Sequence, residues 1–401
     1  MPDACIGAAV NENYRDFISG FRTSPNELRD FYHTDCITQV NFQYAIVYVD
    51  EQQAAASPCL QFFRGKCKFP QVLRPHGYAG SGGDRGGPGA AVGAGSYGTG
   101  SPGSSHRYRD RLYKSCFRKS DGTTRILGLW DQTLPEDPSV LPPGVPEYYP
   151  MGGASYGTEF THEEINEALT LEDPFSLVPS KDTDGHGTFL AGLAAGTAFP
   201  LQNFTGAAPM ADLAIVKLKP AKKYLRDYYL ISEDTPAFQE NDIMMGIKYL
   251  RVIADRFRRP LVTLLGLGTN YGSHTGTSPL SQVTQNYGGF FGIATVIAAG
   301  NETGLAHHYA GRFSADTSFE DVELRVGEEE GKRGFILELW SSAADLYTVG
   351  FVSPGGERIS RIPILSNNET RIPFLLEFYG HHGKLSADRG RKRKPACIHA
   401  L

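Results

Sequence analysis

The chain has 401 residues, of which 40% are hydrophobic and 21% are charged, and its formal net charge is −5. This length is enough for one large domain or two ordinary ones. The composition is that of an ordinary soluble globular protein and lacks the basic balance typical of nucleic-acid binding, so a small-molecule or protein substrate fits better.

Residues 1–54 have the patterns of an N-terminal αβ segment. Positions 14–21 and 26–33 are predicted to be helical, and the run 42–50 is predicted to be a strand. The segment does not open with basic residues followed by an apolar core, and nowhere in the chain do about 18 consecutive apolar residues occur. We therefore expect neither an export signal nor a membrane span, and a cytoplasmic location by default.

Residues 55–116 differ in composition from the segment before them. Between positions 77 and 105 there are 12 glycines in 29 residues, a composition typical of a disordered linker. After residue 116 the composition is again that of a globular domain, and apolar strands alternate with helical patterns as far as residue 315. This alternation predicts βαβ units and a parallel sheet covered on both faces. Residues 316–377 show short alternating runs and a Pro-Gly-Gly turn, which predict a small antiparallel β unit.

The most specific motif is Asp-Gly-His-Gly-Thr, from Asp184 to Thr188, followed by a run of small residues. Glycines on both sides of His186 allow a tight turn at the start of a helix. An isolated histidine is more often structural than catalytic. Here the surrounding residues favour a catalytic role. The string H-G-T-x-x-A-G that begins at His186 resembles the histidine motif of the subtilisin-like serine proteases, the subtilases of peptidase family S8.

Two later stretches extend this resemblance. The run "ATVIAAGNETG" resembles the family's apolar strand that ends in A-A-G-N, and Asn301 stands at its oxyanion-binding asparagine. The run "PLVTLLGLG" resembles the strand and turn that bind the substrate main chain. Gly266, Leu267 and Gly268 stand there where the family usually has Ser-Leu-Gly, so Gly266 is a departure from the pattern.

The resemblance implies a fold and a chemistry. The fold is α/β, a subtilisin-like parallel sheet with helices on both faces, and the β unit after it resembles the inserted domain of clostridial spore-germination subtilases. His186 would be general base and acid, Asn301 would stabilise the oxyanion, and residues 266–268 would pair with a peptide or protein substrate. No cofactor is required, no ligand set for structural calcium stands out, and neither nucleic acid nor membrane is an expected partner.

The acid and the nucleophile of the family do not appear. Subtilases order their triad as Asp, His and Ser. No Asp-Thr-Gly occurs in the sequence, and Asp131, which follows a predicted strand, is interpreted as a surface aspartate because Gln132 replaces the turn. The only Gly-Thr-Ser, ending at Ser278, precedes Asn301, so Ser278 is predicted to lie in a turn or a helix cap.

Metal sites and disulfides are also disfavoured. The six cysteines include no C-x-x-C pair and no zinc spacing, so a disulfide framework is not expected either. The run "THEEIN", which contains His162, lacks the second histidine of a zinc helix, and the adjacent His307 and His308 point differently on any regular element.

A shift of reading frame accounts for the missing acid. Residues 98–116 can be encoded so that a one-base shift reads GQGVLVAAIDTGIDYTNP, which contains the family's aspartate motif, with Arg107 at its place. Residues 385–400 can be encoded so that the shifted frame reads YQLIEEGNGNQLAFMR. We interpret 55–116 and 378–401 as out-of-frame translations that leave the catalytic domain (117–315) and the β insertion (316–377) partial. Negligible hydrolysis and poor solubility are then expected.

Three alternatives stay open. The first is a pseudoprotease that has lost its acid and serine and now binds or regulates a partner. The second is a nucleotide-binding α/β protein that uses Gly185 and Gly187 around a phosphate, although neither G-x-G-x-x-G nor G-x-x-x-x-G-K occurs. The third is a β-domain adhesion module, which the βαβ pattern disfavours.

Overall fold

The computed structural model describes residues 5, 7–56, 67–68, 70–75, 93–94, 115–135, 156–198, 203–272, 274–314, 316, 319–325, 335–340, 348–363 and 398–400. The chain forms two units, Met1–Glu323 and Leu324–Leu401. Most of 55–116 and of 378–401 lies outside the described residues, and so do the frame-shift interpretations made for them.

The N-terminal segment is an antiparallel sheet with two short helices. Its elements are β1 (Tyr14–Gly20), α1 (Glu27–Tyr32), β2 (Ile37–Gln39), β3 (Tyr44–Asp50), α2 (Glu51–Ala56) and β4 (Cys67–Lys68). The strand order is β2-β3-β1-β4. The predictions of a helix near 26–33 and a strand near 42–50 are confirmed.

The helix predicted at 14–21 is wrong, because these residues form β1, which pairs with β3 along all seven positions. Phe17 packs with Tyr32 on one side of the sheet, while Ile18 packs with Ile46 on the other. A strand that is buried on both faces has no polar–apolar alternation, so its periodicity does not distinguish it from a helix.

A disulfide joins Cys5 to Cys36, although the cysteine spacing gave no reason to expect a disulfide framework. Both cysteines are buried in the core beside Ala8 and Val40. They are 31 residues apart in sequence, and the fold of the N-terminal segment brings them together.

The rest of the first unit contains strands β5 to β13 and helices α3 to α7. In chain order they are β5 (Val72–Pro75), β6 (Gly93–Ala94), β7 (Ile126–Asp131), β8 (Thr158–Thr161), α3 (His162–Ala168), α4 (His186–Ala195), β9 (Leu213–Lys217), α5 (Lys223–Tyr228), β10 (Phe238–Gln239), α6 (Glu240–Phe257), β11 (Leu261–Leu265), β12 (Leu267–Gly268), α7 (Pro279–Gly288) and β13 (Ile293–Ile297). They form the sheets β8-β7-β9, β13-β11-β6 and β10-β5-β12.

The fold is mixed α/β with several small sheets. Strand β7 is parallel to β9, and β11 is parallel to β13, as the βαβ pattern predicted. Strand β8 pairs antiparallel with β7. The described residues do not form one continuous sheet. The stretch 55–116, which was expected to be disordered, contains the described strands β4, β5 and β6.

Helix α6 forms much of the core. Its side chains Ile243, Met244, Ile247 and Leu250 are buried in one apolar cluster. A Cβ atom added at Gly246 would lie 3.3 Å from a methyl group of Val216, so the helix packs closely against β9. The 18-residue length of α6 also makes it the longest described helix.

Lys248 is a buried cation on this helix. Its Nζ donates a hydrogen bond to the carbonyl oxygen of Gln39 over 2.8 Å, and burial lowers the pKa of the ammonium group from 10.5 to about 8. The folded state holds this proton more weakly than the unfolded state does. Below pH 8 the folded protein therefore carries the whole free-energy cost of keeping a buried ammonium group charged. Stability therefore rises as the pH increases from about 8 to 10.5.

Replacing Lys248 with methionine is expected to abolish this rise. The shift from 10.5 to about 8 corresponds to about 3 kcal/mol, so the variant should gain stability at pH 7 by up to that amount. Urea denaturation of both proteins between pH 7 and 10.5 measures the difference. The same pH slope in both proteins would show that Lys248 is not the titrating group.

Part of the sheet β13-β11-β6 carries exposed apolar side chains. Val262 is 56% exposed, Val296 is 50% exposed and Ile297 is 56% exposed. Exposed apolar side chains of this kind favour association. Poor solubility of the chain therefore stays a prediction.

The second unit is composed of short strands. They are β14 (Leu337–Leu339), β15 (Thr348–Val352), β16 (Arg358–Pro363) and β17 (Ile398–Ala400). Strands β15 and β16 pair antiparallel, and Gly356 in the turn between them has a φ of 83°, a backbone conformation that favours glycine. In neither unit does a described helix combine the length and apolar character needed to cross a membrane.

Candidate active site

His186 is the first residue of helix α4, directly after a sharp turn. Gly185 has a φ of 102°, in the left-handed region where a side chain is strained, so glycine is required at this point. The imidazole is half-buried, and Gly187 after it is buried. The predicted turn and helix around His186 are therefore both present.

The loop before His186 is held by Asp182. Its carboxylate accepts hydrogen bonds from the backbone N–H of Asp184 over 3.1 Å, of Gly185 over 2.6 Å and of Thr188 over 3.2 Å. It also accepts a bond from the Thr188 hydroxyl. The bond from the Thr188 N–H satisfies a donor that the first turn of a helix otherwise leaves unpaired.

The His186 ring lies beside Gly266. A Cβ atom added at Gly266 would lie 3.4 Å from the Cε1 atom of His186 and would overlap the Leu190 side chain, one turn along α4. The structure thus brings together His186 and the first residue of the predicted substrate edge. The departure from the family's serine also has a physical reason, because Leu190 fills the space next to Gly266.

Replacing Gly266 with serine is expected to destabilise the protein by about 1–3 kcal/mol, since Leu190 must leave its present rotamer. Combining this change with Leu190→Val should cost less than the sum of the two single changes. Urea denaturation of the three variants measures this coupling. Gly288→Ser is the matched control, because no atom lies within 4 Å of its added Cβ. Additive effects would show that the overlap is not the cause.

An extended segment of the chain pairs with the predicted substrate edge. Strand β5 lies between β10 and β12 and is antiparallel to both. Pro75 is opposite Leu267, and Arg74 is opposite Gly268. Val72, Leu73 and Pro75 are buried while Arg74 is exposed. The edge at Leu267 and Gly268 is therefore paired through the main chain with the chain's own extended segment.

Asn301 lies in the loop that follows β13, a strand that ends at the same edge of the sheet as β11. Strands β11 and β13 are parallel with Leu265 opposite Ile297, and the Ala298 N–H donates to the Leu265 carbonyl over 3.0 Å. The residues after the two strands, Gly266 and Ala298, are therefore neighbours. Asn301 lies three residues beyond Ala298 and is exposed.

Asp131 is not a surface residue, which corrects the sequence-based interpretation. It ends the central strand β7 and is completely buried. Its carboxylate accepts bonds from Ser180 over 2.7 Å, from Lys217 over 2.9 Å and from the Thr133 N–H over 2.9 Å. Because Lys217 ends the neighbouring parallel strand β9, both charges lie at the same sheet edge. The carboxylate is fully engaged in holding this edge and its loop.

Other predicted positions have structural roles. Ser278 caps helix α7 by accepting a bond from the Ser281 N–H over 3.2 Å, so the helix-cap prediction is confirmed. His162 uses both ring nitrogens, Nδ1 with the Ile126 carbonyl over 2.8 Å and Nε2 with the Asn166 amide over 3.0 Å. Within the described ranges, no group of three or more His, Cys, Asp or Glu side chains could hold a metal ion.

Sequence reasoning missed two features of this site. Acidic and glycine residues before a helix signal a cap, but they do not show which of Asp182 and Asp184 supplies it. No local signal placed residues 72–75 beside Gly268, because strand pairing between distant segments depends on the tertiary fold.

Neither a family model nor a curated protein matches this chain. Among solved structures, the chain is similar to the structure of the Clostridium perfringens CspB protease, with a TM-score of 0.40 and 28% sequence identity. The match covers 54% of this chain and 37% of that protein, so the chain spans little more than a third of its length.

Proposed function

We propose that this chain is a subtilisin-like serine endopeptidase domain, of peptidase family S8, that holds peptide or protein substrates as an extended strand. The pairing of β5 with β12, next to the His186 ring, carries this proposal. Main-chain pairing at a strand edge does not depend on the side chains of the bound segment. An edge that holds Val72–Pro75 can therefore hold other extended peptides.

The positions of the predicted groups support this role. Gly266 lies beside the imidazole, and the loop carrying Asn301 leaves the adjacent parallel strand at the same edge. Acyl transfer needs a base that accepts the proton of the attacking hydroxyl and a donor that stabilises the oxyanion formed from the scissile carbonyl. His186 and Asn301 are residue types that supply these two functions.

The proposed reaction is acyl transfer. A serine hydroxyl attacks the scissile carbonyl carbon while neutral His186 accepts the hydroxyl proton, and Asn301 donates to the oxyanion that forms. The same proton then passes to the leaving amine, and water hydrolyses the acyl-enzyme. We assign neither the serine nor the acid to a described residue, and we propose that the chain in its present form hydrolyses peptides negligibly.

A second candidate is a pseudoprotease that binds an extended peptide without cleaving it. Asp131 favours this alternative, since its carboxylate is bound by Ser180, Lys217 and Thr133. The gene sequence separates the candidates. One-base gaps near the codons for Ala55 and Phe117 support misreading, whereas an unbroken frame supports the pseudoprotease.

Labelling with a serine-directed fluorophosphonate tests the proposed function. The experiment compares this chain with the product of a gene whose frame is restored across 55–116 and 378–401. We expect the restored protein to be labelled and this chain to be unlabelled, and His186→Ala in the restored protein should prevent labelling. Labelling of the present chain, or silence of the folded restored protein, would contradict the proposal.

A further inference from the structure

We infer that Asp182 is a positioning residue that fixes the His186 imidazole at the peptide-binding edge. This inference rests on the proposed function, because it assigns His186 its catalytic use. Asp182 is 5% exposed, and it lies four residues before His186. The four bonds that its carboxylate accepts come from Asp184, Gly185 and Thr188, so its effect on His186 passes through the turn.

The two carboxylate oxygens of Asp182 hold two different parts of the turn. Oδ1 accepts from the Asp184 N–H over 3.1 Å and from the Gly185 N–H over 2.6 Å, before the helix starts. Oδ2 accepts from the Thr188 N–H over 3.2 Å and from the Thr188 hydroxyl, inside its first turn. His186 lies between these two anchored parts. Its backbone therefore cannot rotate while both oxygens are engaged.

Asp184 cannot replace Asp182 in this role. Its Oδ1 accepts from the His186 N–H over 3.3 Å, and Asp184 lies within the segment that must be held. Bonds to a buried carboxylate are about twice as strong as bonds between neutral groups. Asp182 is thus the stronger restraint on the turn.

Both ends of the restrained segment are tied to the core. Ser180, two residues before Asp182, donates to the buried carboxylate of Asp131 over 2.7 Å. At the other end, Leu190 packs in the apolar cluster that contains Ala194 and Leu264. Because the loop is anchored at both ends, its backbone cannot shift freely. The Asp182 contacts therefore fix the position of the His186 imidazole.

The test compares variants of the full chain. Asp182→Ala removes all four bonds, and Asp182→Asn leaves one acceptor oxygen. Thr188→Val removes the hydroxyl donor, while Thr188→Ser retains it. Asp173→Asn is the matched control, because Asp173 accepts from the Phe175 N–H over 3.1 Å at a separate turn in the same loop region.

Two measurements report on position rather than stability alone. Hydrogen exchange of the Gly185 and Thr188 amides should become faster by about 10-fold or more in Asp182→Ala, as expected for loss of charge-assisted bonds. Carbethoxylation of His186 by diethyl pyrocarbonate, followed by mass spectrometry, should become several-fold faster relative to His162. Thr188→Ser should behave as the parent, and Thr188→Val should shift in the same direction as Asp182→Ala.

Unchanged exchange and unchanged His186 modification in folded Asp182→Ala would overturn the inference, and so would equal changes in Asp173→Asn. If Asp182→Ala does not fold, the contrast between Thr188→Val and Thr188→Ser decides. These readouts need no hydrolysis. Failure of the folded, frame-restored protein to be labelled by the fluorophosphonate would therefore contradict the proposed function while leaving the positioning of His186 measurable.

Discussion

Replacing Lys222 with methionine is expected to lower the free energy of unfolding by about 3–5 kcal/mol, because it leaves a buried carboxylate without its cation. The Nζ atom of Lys222 donates to Asp16 Oδ1 over 2.6 Å, and both side chains are buried. It also donates to the carbonyl oxygens of Ala8 over 2.9 Å and of Tyr14 over 3.3 Å. The same side chain therefore holds the N-terminal segment to the rest of the first unit.

The neighbouring lysine is a matched control for this prediction. Lys223 forms an exposed i,i+4 pair with Asp227, and exposed pairs contribute little, so Lys223→Met should leave the denaturation midpoint almost unchanged. Adding Asp16→Asn to Lys222→Met should recover much of the loss, because asparagine keeps an acceptor for Gln239 without the charge. Urea denaturation measures all four proteins. Equal, small effects of Lys222→Met and Lys223→Met would contradict the prediction.

Restoring the reading frame is expected to raise kcat for peptide hydrolysis by roughly 10⁶ over the present chain, the loss seen when subtilisin itself lacks its serine or histidine. In the restored protein, His186→Ala should remove this gain. Asn301→Ala should lower kcat by about 10²–10³-fold, again the subtilisin value, because the oxyanion loses one donor. Steady-state hydrolysis of a chromogenic peptide measures these rates.

The control for Asn301 is its exposed neighbour. Glu302 pairs with His307, and Glu302→Gln should leave kcat unchanged. If Glu302→Gln and Asn301→Ala lower kcat equally, the effect comes from the loop as a whole and Asn301 is not the oxyanion donor. Hydrolysis that survives His186→Ala would rule out His186 as the base.

The parts of the site that are local in sequence were predictable. Glycine at position 185 predicts a tight turn before a helix, and the structure has that turn with a φ of 102°. Ser278 before Pro279 predicts a helix start, and the structure has the cap. Each of these features depends on residues within a few positions of one another. Their physical causes, backbone strain and capping, are therefore visible in the sequence.

Features that depend on burial were not predictable. Asp131 was expected at the surface because Gln132 stands where the aspartate motif has its turn, yet the structure buries Asp131 beside Lys217. Strand β1 was expected to be a helix, since both of its faces are buried and its sequence does not alternate between polar and apolar residues. In each case the deciding contact comes from a segment far away in the chain.

The sequence by itself determined where His186 starts a helix, where the parallel strands run and which residue, Asn301, follows the last of them. Only the tertiary structure decided that Lys222 meets Asp16, 206 residues away, and that residues 72–75 lie against the edge at Gly268. Turns, caps and apolar periodicity arise from near neighbours. Ion pairs and strand partners depend on how the whole unit packs. The sequence alone does not show which distant residues that packing brings together.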